Sequence, residues 1–253
     1  MITAEIKSLL LRKFPGFVET LQRSEKIIRE RTPAYACFLN AHKIYLAATN
    51  PDFNKVLLNA SFITADGISV KLAGKIFKAD RVTQVTGIDT ALAMLAKASG
   101  KGWRVFFLGA QQAILQKCLK KCKKTYPGLI ISGSLHGWRD WNNTEDVVDA
   151  ISKSKSDILL IGVSSPIQEM WAHNNLERLN TPLILCVGGS FDVISGKTMV
   201  VPKLVRKLWL EWFWRFLQEP RRLWRKAFLV NFWFLGYILR ARISHGTSKK
   251  LEV

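Results

Sequence analysis

The 253-residue chain is 48% hydrophobic and carries 38 Lys and Arg against 19 Asp and Glu, a formal charge of +19. That apolar share excludes a disordered chain and suits one large α/β domain, or one domain with an appendage. The surplus of positive charge implies an anionic partner, whether nucleic acid, acidic phospholipid or a phosphorylated metabolite.

The first residues, "MITAEIKSLLLRKFPGF", mix charges among apolar side chains without a cleavage-site pattern and read as an amphipathic helix. Strands are expected at Tyr35–Asn40 and Ser61–Gly67, and helices at Ala41–Ala48, Ile68–Ile76 and Asp89–Ser99. From there the pattern is regular. Short apolar runs at Trp103–Gly109, Gly128–Gly133, Asp157–Val163 and Pro182–Gly189 alternate with helix-like stretches at Gln111–Lys124, Thr144–Ser154 and Pro166–Leu179. Strand, helix, strand at this spacing predicts an α/β fold, a Rossmann-like parallel sheet flanked by helices. The composition shifts near Lys197, which divides an α/β core at residues 1–196 from a basic, tryptophan-rich helical appendage at residues 197–253.

In a parallel sheet with right-handed crossovers, all strands point their C-terminal ends at one rim, where ligands bind. The residues predicted there are Asn40, Asp66–Gly67, Gly109–Ala110–Gln111, Ser164 to Glu169, and Gly188 to Asp192. Each also has a plain structural reading. By position alone Asp66 serves as a helix cap at least as readily as a catalytic carboxylate. Ser165-Pro166-Ile167-Gln168 has the form of a capping box with proline at the first helical position. Gly188-Gly189 suits a tight turn. Gly109 lacks the rest of a GxGxxG fingerprint, and there is no GxxxxGK[ST], GxSxG, HExxH or Asp-x-Asp. Cys37, Cys118, Cys122 and Cys186 form no CxxC pair, and His42, His136, His173 and His245 are scattered, so no metal site or cofactor is expected. If the protein handles a diphosphate, side-chain cations must neutralise it.

Several ordered motifs go further: "LNAHKI" (Leu39–Ile44), "ADGISV" (Ala65–Val70), "VTGID" (Val85–Asp89), "VFFLGA" (Val105–Ala110), "HGW" (His136–Trp138), "SSPIQE" (Ser164–Glu169), "VGGSFDVISGK" (Val187–Lys197) and "EWFWRFLQEPRRLWR" (Glu211–Arg225). Together, from Ala36 to Lys226, they resemble the WecG/TagA/CpsF family of bacterial glycosyltransferases. The resemblance implies metal-independent transfer, with inversion, of a sugar from a UDP-sugar donor to an acceptor linked to a polyprenyl diphosphate such as undecaprenyl diphosphate. It implies Asp66 as general base, Asn40 and Gln168 in the substrate pocket, and Arg215, Arg222 and Arg225 on the diphosphate. Guanidinium forks suit that last task because they pair bidentately with phosphate oxygens. Gly109, Glu169, Gly188, Gly189 and Asp192 complete the substrate-binding candidates at the rim. The sequence departs from the family pattern at Phe38, where a threonine is common, and at Gln84, where an arginine is common and Arg81 is a substitute one turn earlier. It departs again at "VVP" (Val200–Pro202) and in the "SSPIQE" motif itself. These departures point to a different donor sugar.

The stretch Leu208–Leu239 holds five of the nine tryptophans. Pro220 is expected to divide it into two helical pieces. In the second, Arg221, Arg222, Arg225 and Lys226 fall within an arc of about 140°. From Ala227 onward the helix is apolar on nearly every side, which demands cover. A core helix with a solvated basic end is one solution; a bilayer interface or a second copy of the chain is another. Ala227–Leu239 falls short of the roughly 18–20 apolar residues of a membrane span. Tryptophans suit the headgroup zone, and basic residues are drawn to anionic lipid. The expectation is therefore peripheral attachment to the cytoplasmic face of a bacterial plasma membrane. Nucleic acid is not expected as a partner, because no nucleic-acid module is present and the aromatics sit among aliphatic runs rather than in a polar groove. A membrane-surface scaffold that keeps the fold without the chemistry remains the competing reading.

Overall fold

The computed structural model describes residues 4–10, 12–76, 82–137, 144–202, 204–205 and 210–248. All six apolar runs form strands: β1 (Ala34–Leu39), β2 (Phe62–Ala65), β3 (Arg104–Gly109), β4 (Ile130–Leu135), β5 (Ile158–Gly162) and β6 (Leu183–Cys186). They pair in parallel as one sheet in the order β2-β1-β6-β5-β3-β4. β1, β2, β5 and β6 are buried along their whole length because helices cover both faces of the sheet. The period-two alternation of a strand then sorts side chains into two cores. Tyr35, Cys37 and Leu39 of β1 join one core, whereas Ala36 and Phe38 join the other. The four cysteines are buried free thiols and contribute to these cores.

The helices are α1 (Ala4–Leu10), α2 (Phe17–Glu30), α3 (Ala41–Thr49), α4 (Pro51–Leu58), α5 (Ile68–Ile76), α6 (Gly87–Lys101), α7 (Gln112–Thr125), α8 (Thr144–Lys153), α9 (Ile167–Asn175) and α10 (Ser190–Ser195). α2, α4 and α10 were not expected. α4 is signalled by Asn50, whose side chain caps Phe53 N at 3.0 Å ahead of Pro51 at the helix start. The helix expected at Pro166–Leu179 begins one residue later and tightens into a 3₁₀ turn at Leu176–Arg178. From β1 the chain steps to β2 at one edge, then crosses to build the remaining strands on the other side. A crevice forms where connections diverge in this way, at the C-terminal ends of the strands.

Beyond the core come α11 (Glu211–Gln218), α12 (Pro220–Trp224), a π-helical turn (Arg225–Val230) and α13 (Asn231–Ser248). The break falls at Pro220, whose missing N–H suits a helix start. α11 buries none of its residues. Val230, Phe234 and Ile238 recur at intervals of four and are buried in the same core as Ile44 and Val70 of α3 and α5. Trp233 meets Tyr45 edge-on at 5.0 Å between ring centroids. The core therefore covers one stripe of this apolar helix. The opposite stripe, with Leu229 58% and Phe232 71% accessible, has no cover in the single chain. No described helix is long and apolar enough to cross a membrane.

Candidate active site

The rim is assembled by hydrogen bonds that the strand order makes possible. Asn40, directly after β1, caps α3 by accepting the Lys43 N–H at 3.1 Å. The Asp66 N–H donates to Leu39 O at 2.7 Å, which sets Asp66 beside Asn40. Gly67, at φ 99°, turns the chain into α5 from a backbone conformation that favours glycine. The Asp66 carboxylate accepts no hydrogen bond from the first turn of α5 among the described residues, so it is not the helix cap its position suggested. It is half-buried and faces the crevice.

Gln168 is not the capping-box residue the sequence suggested either. The Ser165–Pro166 peptide is cis and Pro166 precedes the helix. The Gln168 carboxamide reaches across to β6, where its Oε1 accepts the Gly188 N–H at 3.0 Å and its Nε2 donates to Cys186 O at 3.3 Å. It satisfies a backbone donor, but one that belongs to the Gly188 turn, and so ties the β5 and β6 ends together.

The resulting cavity, of about 540 Å³, is lined by Asn40, Asp66, Gln168, Gly188, Gly189 and Asp192 from the core. Arg215 of α11 and Leu223 of α12 close it from the appendage. A second cavity of about 230 Å³ lies between the core and the appendage, with Gly67, Ile68, Gln84, Glu211, Trp212 and Asn231 on its walls. Asn40, His42, Asp66, Arg215 and Leu223 line both. Asp66 thus stands on the wall the two cavities share. Burial pushes its carboxyl up to about 6, with Glu211 and Asp89 reinforcing the shift and Arg215 and Lys43 opposing it. A carboxylate with that affinity is poised to take a proton near neutral pH.

Polar contacts at the seam, among the described residues, order the appendage and tie it to the rim. Gln84 Nε2 donates to Glu211 Oε1 at 3.2 Å, and the Met199 N–H donates to Gln218 Oε1 at 2.7 Å. Lys197 Nζ lies 3.3 Å from Asp192 Oδ1 and 3.8 Å from Glu219 Oε1. Asp192 thus lines the cavity and also anchors Lys197.

Two expected substrate contacts, Glu169 and Gly109, line neither cavity. Glu169 is fully buried behind Gln168 and lines neither cavity. Gly109, at φ 122°, packs against β5 so closely that a Cβ would meet the Gly162 carbonyl at 2.8 Å. It sets strand spacing and leaves the wall to Ala110 and Gln111. Arg81 lies outside the described residues, as do the side chains of Arg222 and Arg225. The sequence reading missed His42, Lys43, Lys197 and Glu211. His42 and Lys43 were accessible to it, since the first turn of a helix after a strand borders the same rim. Phe38, in place of the threonine, fills the floor between Gly87 and the cavity and belongs to the core. Among the described residues no group of three His, Cys, Asp or Glu side chains could hold a metal ion.

The glycosyl transferase WecG/TagA/CpsF family model matches residues 13–248. A curated relative from Bacillus spizizenii (strain ATCC 23059 / NRRL B-14472 / W23), N-acetylglucosaminyldiphosphoundecaprenol N-acetyl-beta-D-mannosaminyltransferase, is 30% identical over 198 residues. The match covers 78% of this chain and 76% of that relative.

Proposed function

Because the chain belongs to the WecG/TagA/CpsF family of glycosyl transferases, we propose that it moves a hexose or N-acetylhexosamine from a UDP-sugar to a sugar carried on undecaprenyl diphosphate, in the assembly of a cell-envelope polysaccharide or teichoic-acid-like polymer. The observation that carries this reading is Asp66 on the wall shared by two cavities, with Arg215 beside it. The larger, more polar cavity takes the nucleotide-sugar. The smaller one, bounded by the appendage, admits the acceptor hydroxyl.

In this reaction the Asp66 carboxylate removes the acceptor hydroxyl proton as that oxygen bonds to the anomeric carbon. The bond from that carbon to the diphosphate oxygen breaks, and UDP leaves with the electron pair. One base on the face opposite the leaving group gives inversion. Arg215 neutralises charge on the departing diphosphate, a task that guanidinium hydrogen bonds of roughly 1.5–3 kcal/mol each can perform. Arg222 and Arg225 belong to the same proposal through the family motif.

Residues 197–253 act in this reading as a clamp on both substrate and membrane. The exposed Leu217, Trp224, Leu229 and Phe232, in a chain of charge +19, suit the interface of an anionic bilayer. The protein then works at the cytoplasmic face of the plasma membrane, where the lipid-linked acceptor is held. The test is a donor screen: UDP-hexoses and UDP-N-acetylhexosamines with a short-chain lipid diphosphate acceptor, followed by UDP release. Turnover with one donor, lost in Asp66→Asn, is expected. Absence of turnover with every donor overturns the assignment.

A further inference from the structure

Lys43 is a lysine only 4% accessible on a helix whose neighbouring buried positions, Ile44 and Ala47, are apolar. Lysine is almost never fully buried unless it is paired. Its Nζ lies 2.8 Å from Oε1 of Glu169, itself 0% accessible. That oxygen also accepts from Gln168 Nε2 at 2.7 Å and Ser165 Oγ at 2.9 Å, while Oε2 has no partner among the described residues. Three donors on one oxygen fix the carboxylate, and the carboxylate fixes the ammonium. Burial works against the Lys43 charge, but the attraction and hydrogen bond of the Glu169 carboxylate, with smaller contributions from its surroundings, leave the lysine above its usual range. The pairing therefore favours the charged form of Lys43.

The pair is not symmetric about the crevice. Lys43 lines the larger cavity, whereas Glu169 lies behind it. Seen from the cavity, the nearer charge is the positive one. Asp66 hangs from Leu39 by its N–H, and Lys43 sits one helical turn beyond that point. The charged groups around Asp66 are Lys43 on α3, Asp89 on α6, and Glu211 and Arg215 on α11; His42 on α3 shares its cavities. Of the two described cations acting on Asp66, Arg215 belongs to the appendage and Lys43 to the core. Lys43 shares the larger cavity with Asp66 and is held there by its ion pair with Glu169.

Resting on the reading of Asp66 as the base, we propose that Lys43 is a positioning residue for the transfer reaction: anchored on Glu169, it supplies a fixed positive potential to the cavity that favours the ionised Asp66 carboxylate. The rival role is purely structural, a neutral pair that joins α3 to α9.

The experiment compares the full chain with Lys43→Met and with Lys43→Met/Glu169→Gln. The double variant is decisive, because it leaves no buried lone charge and neutral replacement of a buried ion pair commonly preserves the fold. Asp66 is titrated by carbon-13 carboxyl NMR without substrate, and kcat/KM is followed against pH. The expected result is an Asp66 midpoint raised by about one pH unit in the double variant. The acid limb of kcat/KM moves with it, giving a loss of about tenfold at pH 5.5 that shrinks as pH rises. An unchanged midpoint, or an activity loss equal at all pH values, overturns the proposal. The NMR titration needs no turnover, so an inactive wild type would strike the transferase reading without deciding this one.

Discussion

The strand rim and the helical appendage meet at Asp66, and they are built on opposite terms. At the rim, polar side chains are locked by short bonds across strand ends, as Gln168 locks the Gly188 turn and Glu169 locks Lys43. In the appendage, α11 buries nothing, and one stripe of α13 is buried while the other lies bare. In the proposed reading the difference separates two tasks. A base must be held within a fraction of an ångström of its reactive pose, which packing and satisfied hydrogen bonds achieve. A surface that meets lipid must stay exposed until the lipid arrives.

The comparison is broken most severely at Asp66. Asp66→Asn is expected to lower turnover by about 10²–10⁴-fold, the usual contribution of a positioned base. UDP release measures that loss, and lipid-vesicle binding should persist. The two stripes of α13 provide the next test. Phe234→Ala, in the buried stripe, should cost about 3–5 kcal/mol of stability in denaturant unfolding. Phe232→Glu, in the bare stripe, should leave the melting temperature within about 2 °C. The same substitution should weaken binding to anionic vesicles about tenfold or more, given roughly 1.5–3 kcal/mol for burying such a side chain. Equal effects of the two substitutions on stability would erase the distinction between the stripes.

A smaller effect concerns the energy stored at the rim. The folded Asp66 carboxyl, at about 6, lies above its ordinary value of 3.8, so the folded state holds this proton more tightly than the unfolded chain. The carboxylate then costs stability above pH 6, and the cost disappears as pH falls through 6 towards 3.8. Asp66→Asn should therefore stabilise the protein at pH 7–8 by an amount of order 1–3 kcal/mol, and by progressively less on acidification. Thermal unfolding across pH 4–8 measures it. Turnover should fall in parallel below about pH 6 as the base becomes protonated. The smallest effect is at the seam. Gln84→Ala removes one partly buried hydrogen bond to Glu211 and should cost about 0.5–1.5 kcal/mol of appendage docking. A several-fold rise in KM for the acceptor, with the fold unchanged, would register it.

Much of this was legible beforehand, for local reasons. Each strand announces itself through a short apolar run, and the Pro220 break follows from a missing N–H. α2 escaped notice because its buried residues include Thr20 and Ser24, which carry no apolar periodicity. Asp66, Asn40 and Gln168 were identifiable as rim residues and as motif positions, and all three reach the cavity. Glu169 and Gly109 occupy equally suggestive positions and do not. Side-chain direction on the first turn of a helix depends on what packs against it, and Lys43, the partner of Glu169, comes from a distant part of the chain.

The sequence by itself determined the six strands, most of the helices, the family and the basic charge, because periodicity and ordered motifs are properties of short segments. Tertiary structure alone decided which rim residues line the cavity, which stripe of α13 is covered, and that a buried lysine shares that cavity with Asp66. Those outcomes depend on neighbours brought together by the crossing of strands, and no local pattern encodes the distance between β2, α3 and α9.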